Sequence, residues 1–251
     1  MAVKVALYGA TGRMGTRIAA LAEVDDTVHI VRRMSRTGAI DASVDAPRMD
    51  GAGRRSAGAT ATSGGDVDVI VDFSSESGTR EAIADARGGG TALLVGTTGL
   101  SAEILQELAL LARTNAVLIA PNTSLGVAVT RKLARLAAEL LGPAGPGGGA
   151  WSVDIVESHH DRKKDAPSGT AIAIARALES GGMAIPVDRI HAIRAGDTIG
   201  EHEIRFAGPS ERIHVMHQAV TRDLFAAGAL RAAAWLAGRP AGSYSMDDVL
   251  G

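Results

Sequence analysis

A chain of 251 residues, 46% of them hydrophobic, is long enough for one or two domains with complete cores, and with only 3% aromatics those cores must rest on Ala, Val, Leu and Ile. A formal charge of −2 and the lack of a long basic run argue against nucleic acid as the main partner, while the absence of cysteine excludes disulfides, thiol catalysis and thiolate metal sites. The apolar run in MAVKVALYGA is short for a secretion signal and no run of about 18 apolar residues exists, so a cytoplasmic protein without membrane contact is expected.

In chain order, residues 3–8 read as a buried strand. A glycine-rich turn, Gly9-Ala10-Thr11-Gly12-Arg13-Met14-Gly15, leads into a helix with Met14, Ile18, Leu21 and Ala22 on one face. Strands are expected at 28–31, 67–73, 92–95 and 116–120, and helices at 77–86 and 101–112; the polar stretch 36–65 has no clear pattern. Strands alternating with helices of this length imply a parallel sheet covered on both faces. Residues 126–141 read as a helix, and 142–149, with two prolines and five glycines, as a flexible connection. Beyond it the pattern changes. A strand is expected at 151–156 and a helix at 168–178 with Ser168 as its N-cap. Alternation at Ile204, Phe206, Ile213, Val215 and His217 fits antiparallel strands with one covered face. A helix at 222–236 ends at Gly238 and Pro240. The fold class is therefore α/β: a dinucleotide-binding domain over 1–123, to which 221–251 returns, and a smaller α+β domain with a mixed sheet over 124–220.

The Gly9-x-x-Gly12-x-x-Gly15 turn lies between a strand and a helix. That placement gives a tight bend, close backbone approach to a pyrophosphate and helix N-terminal amides facing negative charge, as in Rossmann-type domains. Gly9, Ala10, Thr11, Gly12, Arg13 and Met14 are thus candidate cofactor residues. NAD(H) recognition calls for an Asp or Glu at the end of the second strand, to bond the ribose 2′-hydroxyl. This chain offers Arg32, Arg33, Met34, Ser35 and Arg36, whose guanidinium groups suit a 2′-phosphate. NADPH is favoured and NADH remains possible. Gly96, Thr97 and Thr98 follow one strand end and Ala120, Pro121, Asn122 and Thr123 another, where ligands of open α/β sheets bind.

The run Glu157-Ser158-His159-His160-Asp161-Arg162-Lys163-Lys164-Asp165-Ala166-Pro167-Ser168-Gly169-Thr170-Ala171 is read as a loop from a strand end to a helix start. Its histidines can carry a proton near neutral pH. Lys163 can bind an anion or donate a proton, and the helix start at Ser168, Gly169 and Thr170 offers amides to a carboxylate or phosphate. The loop can hold an anionic substrate and protonate it. A zinc site using His159, His160 and Glu157 or Asp161 stays open, although the helical His-x-x-x-His spacing of common zinc hydrolases is absent.

This run resembles the signature of the dihydrodipicolinate reductase family: Glu157, His159, Lys163, Asp165, Pro167, Ser168, Gly169, Thr170 and Ala171 all fit, with Asp154 and Ile155 at its start. The glycine turn, Asp72-Phe73-Ser74, residues 96–99 and 120–127, Gly200-Glu201-His202, Trp235-Leu236 and residues 246–250 resemble family segments in family order. The resemblance implies an NAD(P)H-dependent oxidoreductase acting on a small dicarboxylate, 4-hydroxy-tetrahydrodipicolinate, by way of its dehydrated imine. It implies His159 as proton donor, Lys163 as second catalytic group, and His160, Ser168, Gly169 and Thr170 as substrate contacts, with no metal. It also implies that Gly9–Met14, Arg36, residues 96–98 and residues 120–123 hold the dinucleotide, and that the assembly is a homotetramer. Ser35 stands where many members carry a glutamate for the ribose, residues 142–149 look long for the family, and residues 180–194 look shorter than in some members. Two other functions fit the glycine turn: another amino-acid dehydrogenase on the same fold, which would lack the His-His-x-x-Lys run, and a dinucleotide sensor, which would not need His159 and Lys163 together.

Overall fold

A computed structural model describes residues 1–36, 38–40, 67–143 and 150–251. Most of the patternless stretch 36–65 and of the glycine-rich connection 142–149 lies outside the described residues. The chain divides into two compact units, Met1–Thr123 with Phe225–Val249 and Gly251, and Ser124–Leu224 with Leu250.

In chain order the first unit contains β1 (Val3–Tyr8), α1 (Arg13–Ala22), β2 (Val28–Ser35), β3 (Gly38–Ile40), β4 (Val69–Asp72), α2 (Glu76–Gly89), β5 (Ala92–Val95), α3 (Ala102–Leu111) and β6 (Ala116–Ile119). The second contains α4 (Leu125–Leu141), β7 (Ser152–His159), α5 (Gly169–Ser180), β8 (Ile190–Arg194), β9 (Glu201–Ala207) and β10 (Arg212–Gln218). Then α6 (Asp223–Leu236), most of it in the first unit, precedes β11 (Gly242–Tyr244) and α7 (Met246–Val249).

Among the described residues the first unit's sheet has seven strands in the order β11-β6-β5-β4-β1-β2-β3. All its pairings are parallel except β2 with β3. The central strands β4 and β5 are buried at every position, as parallel strands covered on both faces must be, and so read as continuous apolar runs. From β1 the chain moves first to β2 on one side and then to β4 on the other. The crevice outside the carboxyl ends of β1 and β4 is therefore the topological switch point, where open α/β sheets hold ligands. The expected α/β class with a parallel nucleotide-type sheet is observed.

The second sheet is mixed, in the order β10-β9-β7-β8, with β7 and β8 parallel and the other pairs antiparallel. Its core joins Ala134 and Ala138 of α4 and Ile174 and Leu178 of α5 to Val153, Ile155, Ile204 and Phe206 of the sheet. The strand expected at 151–156 runs on to His159, and burial alternates along its whole length. Glu157 and His159 take the inward positions after Val153 and Ile155, so they belong to the strand and not to a loop. Polar residues at inward positions hid the continuation from a hydrophobic pattern. β8, parallel to β7, was not anticipated, nor were the short β3 and β11.

Phe206 is the largest fully buried side chain among the described residues. Phe206→Ala is expected to cost about 3–5 kcal/mol through lost burial and an unfilled cavity. Urea unfolding followed by the fluorescence of Trp151, which packs against the same core, measures this; a loss below about 1 kcal/mol would contradict it.

Candidate functional site

The first unit gathers its candidates at the carboxyl ends of neighbouring strands. After β1, Gly9 has φ 75°, and a Cβ there would stand 2.1 Å from the Phe73 carbonyl oxygen, so only glycine fits where the β1 and β4 ends meet. The Gly12 amide donates to Gly9 O at 2.9 Å and the Ala10 amide to Met34 O at 3.0 Å, which ties the turn to the end of β2. Thr11, Gly12 and Arg13 are exposed, Met14 is half-buried and Ala10 is buried. Helix α1 starts at Gly12 with no side-chain cap and no acidic residue in its first turn. The N-termini of α2, α3, α4 and α5 are instead capped by Ser75, Ser101, Ser124 and Ser168. The α1 start thus presents amides and a positive dipole end with no carboxylate in its own first turn.

Asp72, at the end of β4, is fully buried. It accepts hydrogen bonds from the Ser74 amide (3.1 Å) and hydroxyl, the Thr79 hydroxyl (2.5 Å) and the Thr97 hydroxyl (2.9 Å). Burial raises its proton affinity, and these donors offset only part of that rise. Its backbone oxygen accepts from the Gly96 amide at 2.8 Å, so one residue anchors the 96–98 loop to the switch point. Thr98 is exposed. In the loop after β6, Ala120 is buried, Pro121 exposed and Asn122 half-buried; Thr123 is buried and donates its hydroxyl to Phe225 O at 2.7 Å. What Thr123 offers a ligand is therefore its backbone. Of the arginines near the end of β2, Arg32 lies 3.6 Å from Asp85 and Arg33 3.6 Å from Glu23. Arg36, exposed in the turn after β2, has no ion pair with the described residues.

The second unit brings two of its candidates, His159 and Ser168, onto one buried carboxylate, while Lys163 pairs with Asp165 instead. Glu157 is 0% exposed. Arg194, at the end of β8, grips it bidentately, Nη1 to Oε2 at 3.0 Å and Nη2 to Oε1 at 2.8 Å. The Ser168 amide donates to Oε1 at 3.1 Å, and His159 Nδ1 lies 2.5 Å from Oε2. Burial pushes the Glu157 proton affinity up, but the bonds from Arg194 and His159 outweigh it and hold the carboxyl below its ordinary range. His159 is 7% exposed; burial lowers its proton affinity against the pull of Glu157.

Ser168 caps α5 by accepting from the Ala171 amide at 3.1 Å, and its hydroxyl lies 3.1 Å from His202 Nε2. The His202 ring meets His159 edge-on at 5.2 Å, and His217 follows at 6.5 Å. Gly169 is exposed and Thr170 half-buried, both opening the helix ahead of the residue that Ser168 caps. Lys163 Nζ lies 2.8 Å from the Asp165 carboxylate and, chiefly through this hydrogen bond, holds it below the usual range. His160 is half-buried, and its Nδ1 is buried without a hydrogen-bond partner among the described residues. Every lone-pair direction of Glu157 that a zinc ion would need is already claimed by a donor. Among the described residues no group of three or more His, Cys, Asp or Glu is placed to hold a metal.

Sequence reasoning considered Glu157 only as an alternative zinc ligand and assigned no role to Arg194 or His202. The period of two would have put Glu157 beside His159 on one strand face. No local signal points to Arg194, 37 residues further on.

The chain matches two family models, "Dihydrodipicolinate reductase, N-terminus" over residues 3–123 and "Dihydrodipicolinate reductase, C-terminus" over 126–250. It is 37% identical over 276 residues to a 4-hydroxy-tetrahydrodipicolinate reductase of Alkalilimnicola ehrlichii, covering 100% of both chains. It is 41% identical over 249 residues to the enzyme of that name from Xanthomonas axonopodis pv. citri, covering 99% of this chain and 98% of that one. Among solved structures, a dipicolinate-bound dihydrodipicolinate reductase from Paenisporosarcina sp. TG-14 has the same fold, with a TM-score of 0.73, 22% identity and 99% coverage of each chain. Among the described residues no helix is long and apolar enough to cross a membrane.

Burial pushes His202 from the ordinary 6.5 down to about 4. Between those values the unfolded chain binds a proton there that the folded chain does not. The stability contributed by the neutral ring is therefore complete above about pH 6.5 and lost as pH falls towards 4. His159 and His217, also lowered by burial, act in the same direction. Unfolding free energy should decline across this window, on the order of 3 kcal/mol from His202 alone. Denaturant titrations at several pH values should show a flatter decline in His202→Asn; equal slopes in the two proteins would disprove it.

Proposed function

The chain belongs to the dihydrodipicolinate reductase family, and from that membership we propose that it reduces 4-hydroxy-tetrahydrodipicolinate, by way of the dehydrated imine, to tetrahydrodipicolinate. It is an NAD(P)H-dependent oxidoreductase of lysine and diaminopimelate biosynthesis. The observation that carries the reading is His159, bonded to the buried Glu157 carboxylate and standing beside the start of α5. A proton carrier lies next to an anion-binding helix terminus, which suits a carboxylate substrate that must be protonated.

The residues of the first unit fit a dinucleotide, since the α1 start lacks both a side-chain cap and an acidic residue. Gly9, Ala10, Thr11, Gly12, Arg13 and Met14 would hold the pyrophosphate. Gly96, Thr97, Thr98, Ala120, Pro121, Asn122 and Thr123 would hold the nicotinamide half. Bound there, the reduced nicotinamide would supply a hydride to carbon 4 of the conjugated imine. NADPH is the preferred form and NADH a possible one. In support, residues 32–36 contain no carboxylate, and Arg36 keeps its guanidinium outside the pairs that occupy Arg32 and Arg33.

The chain's own chemical task is the proton. His159 gives it to the enamine carbon that is left electron-rich by reduction, and is reprotonated from solvent. Gly169 and Thr170 offer helix-start amides to one substrate carboxylate, with Ser168 and His160 beside them. Lys163 serves as the second catalytic group, exchanging Asp165 for a substrate carboxylate. The protein is cytoplasmic, and its partners are the dicarboxylate and copies of itself, with no nucleic acid or membrane. Homotetramer formation through the outer face of the β10-β9-β7-β8 sheet is supported by Ile193 and Met216, 47% and 58% exposed on that sheet.

His159→Gln is expected to lower kcat about 10²- to 10⁴-fold, the usual contribution of a positioned acid, and to leave the NADPH dissociation constant unchanged. Steady-state assays beside cofactor titration check this, and wild-type turnover would overturn it. Arg36→Ala is expected to weaken NADPH about tenfold or more, as loss of a charged hydrogen bond does, while NADH binding barely moves. Equal effects on the two cofactors, or wild-type NADH binding at least as tight as NADPH binding, would refute the 2′-phosphate assignment.

A further inference from the structure

We propose that Glu157, gripped by Arg194, is a positioning residue that fixes His159 as its Nδ1–H tautomer, so that Nε2, kept clear by Gly200, is the nitrogen that carries the catalytic proton. The proposal rests on the reading of His159 as proton donor.

The tautomer follows from donor and acceptor accounting. An ionised carboxylate only accepts hydrogen bonds. Three of the four bonds to Glu157 come from groups that can only donate: the two Arg194 nitrogens and the Ser168 amide. The fourth contact, His159 Nδ1 at 2.5 Å, must then also be a donor, because a bare Nδ1 lone pair would face a carboxylate lone pair at that distance. The carboxylate stays ionised because Arg194 holds it below the ordinary range. With Nδ1 committed, a proton can be gained or given only at Nε2. On that side lies Gly200, where a Cβ would come within 3.1 Å of Nε2. A glycine there leaves the nitrogen uncovered.

The charges around the ring come from every element packed on it. Glu157 lies on β7 with His159, Arg194 on β8, His202 on β9, and Lys163 in the loop after β7. Burial, Lys163 and Arg194 lower the proton affinity of His159, and Glu157 alone raises it. His202 stays neutral well into the acid range. Glu157 therefore offsets part of the lowering that burial imposes on His159. Arg194 also donates to the Asp165 carbonyl at 2.6 Å. It thereby joins the orientation of the acid to the segment that leads to the α5 start.

The test uses the intact enzyme labelled with ¹⁵N-histidine, with His159→Gln assigning the resonance. In the wild type, long-range ¹⁵N–¹H spectra should show neutral His159 as the Nδ1–H form; the Nε2–H form would overturn the proposal, and this reading needs no variant to fold. In Glu157→Gln the protonation midpoint of His159 should move to lower pH. The high-pH decline of kcat should follow it, with kcat at pH 8 falling roughly tenfold or more, part of what a positioned acid supplies, and NADPH binding unchanged. Gly200→Ala should keep the wild-type tautomer and midpoint and still lower kcat. An unchanged His159 midpoint in Glu157→Gln would overturn the proposal. A shifted midpoint with an unmoved kcat profile would uphold the positioning and reject His159 as the proton donor.

Discussion

A full negative charge at Glu157, out of reach of solvent, dictates how the second unit is built. Such a group costs several kcal/mol to desolvate, and it persists only with excellent pairing and its remaining lone pairs satisfied. Each partner it requires imposes a piece of architecture. The Arg194 fork requires β8 to lie parallel to β7 with the register His159↔Arg194. The Ser168 amide requires the chain to return so that α5 begins against the end of β7. Once both hold, a histidine two residues along the strand necessarily sits beside a helix N-terminus. The juxtaposition that makes acid chemistry on a carboxylate possible is thus a by-product of satisfying one buried ion.

The first unit meets a similar demand by different means. Asp72 is equally buried but has no cation among the described residues; hydroxyls and an amide from Ser74, Thr79 and Thr97 surround it. Neutral donors compensate burial less well than a guanidinium, so its proton affinity rises where that of Glu157 falls. Asp72 organises loops, drawing the 96–98 segment onto the end of β4 next to the glycine turn. Nearby, ion pairs to Asp85 and Glu23 divide the arginines of β2 and leave Arg36 as the exposed one.

Burial also sets the charge state of the histidine row. His159, His202 and His217 are all pushed towards the neutral form, and among the described residues only His159 has a carboxylate within hydrogen-bond distance. In one ring of the three that lowering is partly offset by a carboxylate, while His202 stays neutral against the Ser168 hydroxyl.

The α/β class, the glycine turn and the helix start at Ser168 were legible in the sequence, because each rests on a local rule: apolar runs, a period of two or 3.6, and caps a few residues apart; the roles from His159 to Thr170 came from the family resemblance. The continuation of β7 through Glu157 and His159 was not, because its inward residues are polar, and a hydrophobic pattern cannot register a position whose burial is compensated by a partner. Arg194 was invisible for the same reason, since its role exists only where β8 pairs with β7 across 37 residues. The same limit applied to the arginines of β2, alike in sequence and separated only by which acid lies within reach. The residues taken by themselves determined a helix start suited to an anion and side chains able to carry a proton, and the family resemblance supplied the reaction; which groups surround His159, and which arginine near β2 stays outside an ion pair among the described residues, was decided by tertiary packing, because buried charges take their properties from neighbours that the chain brings from far away.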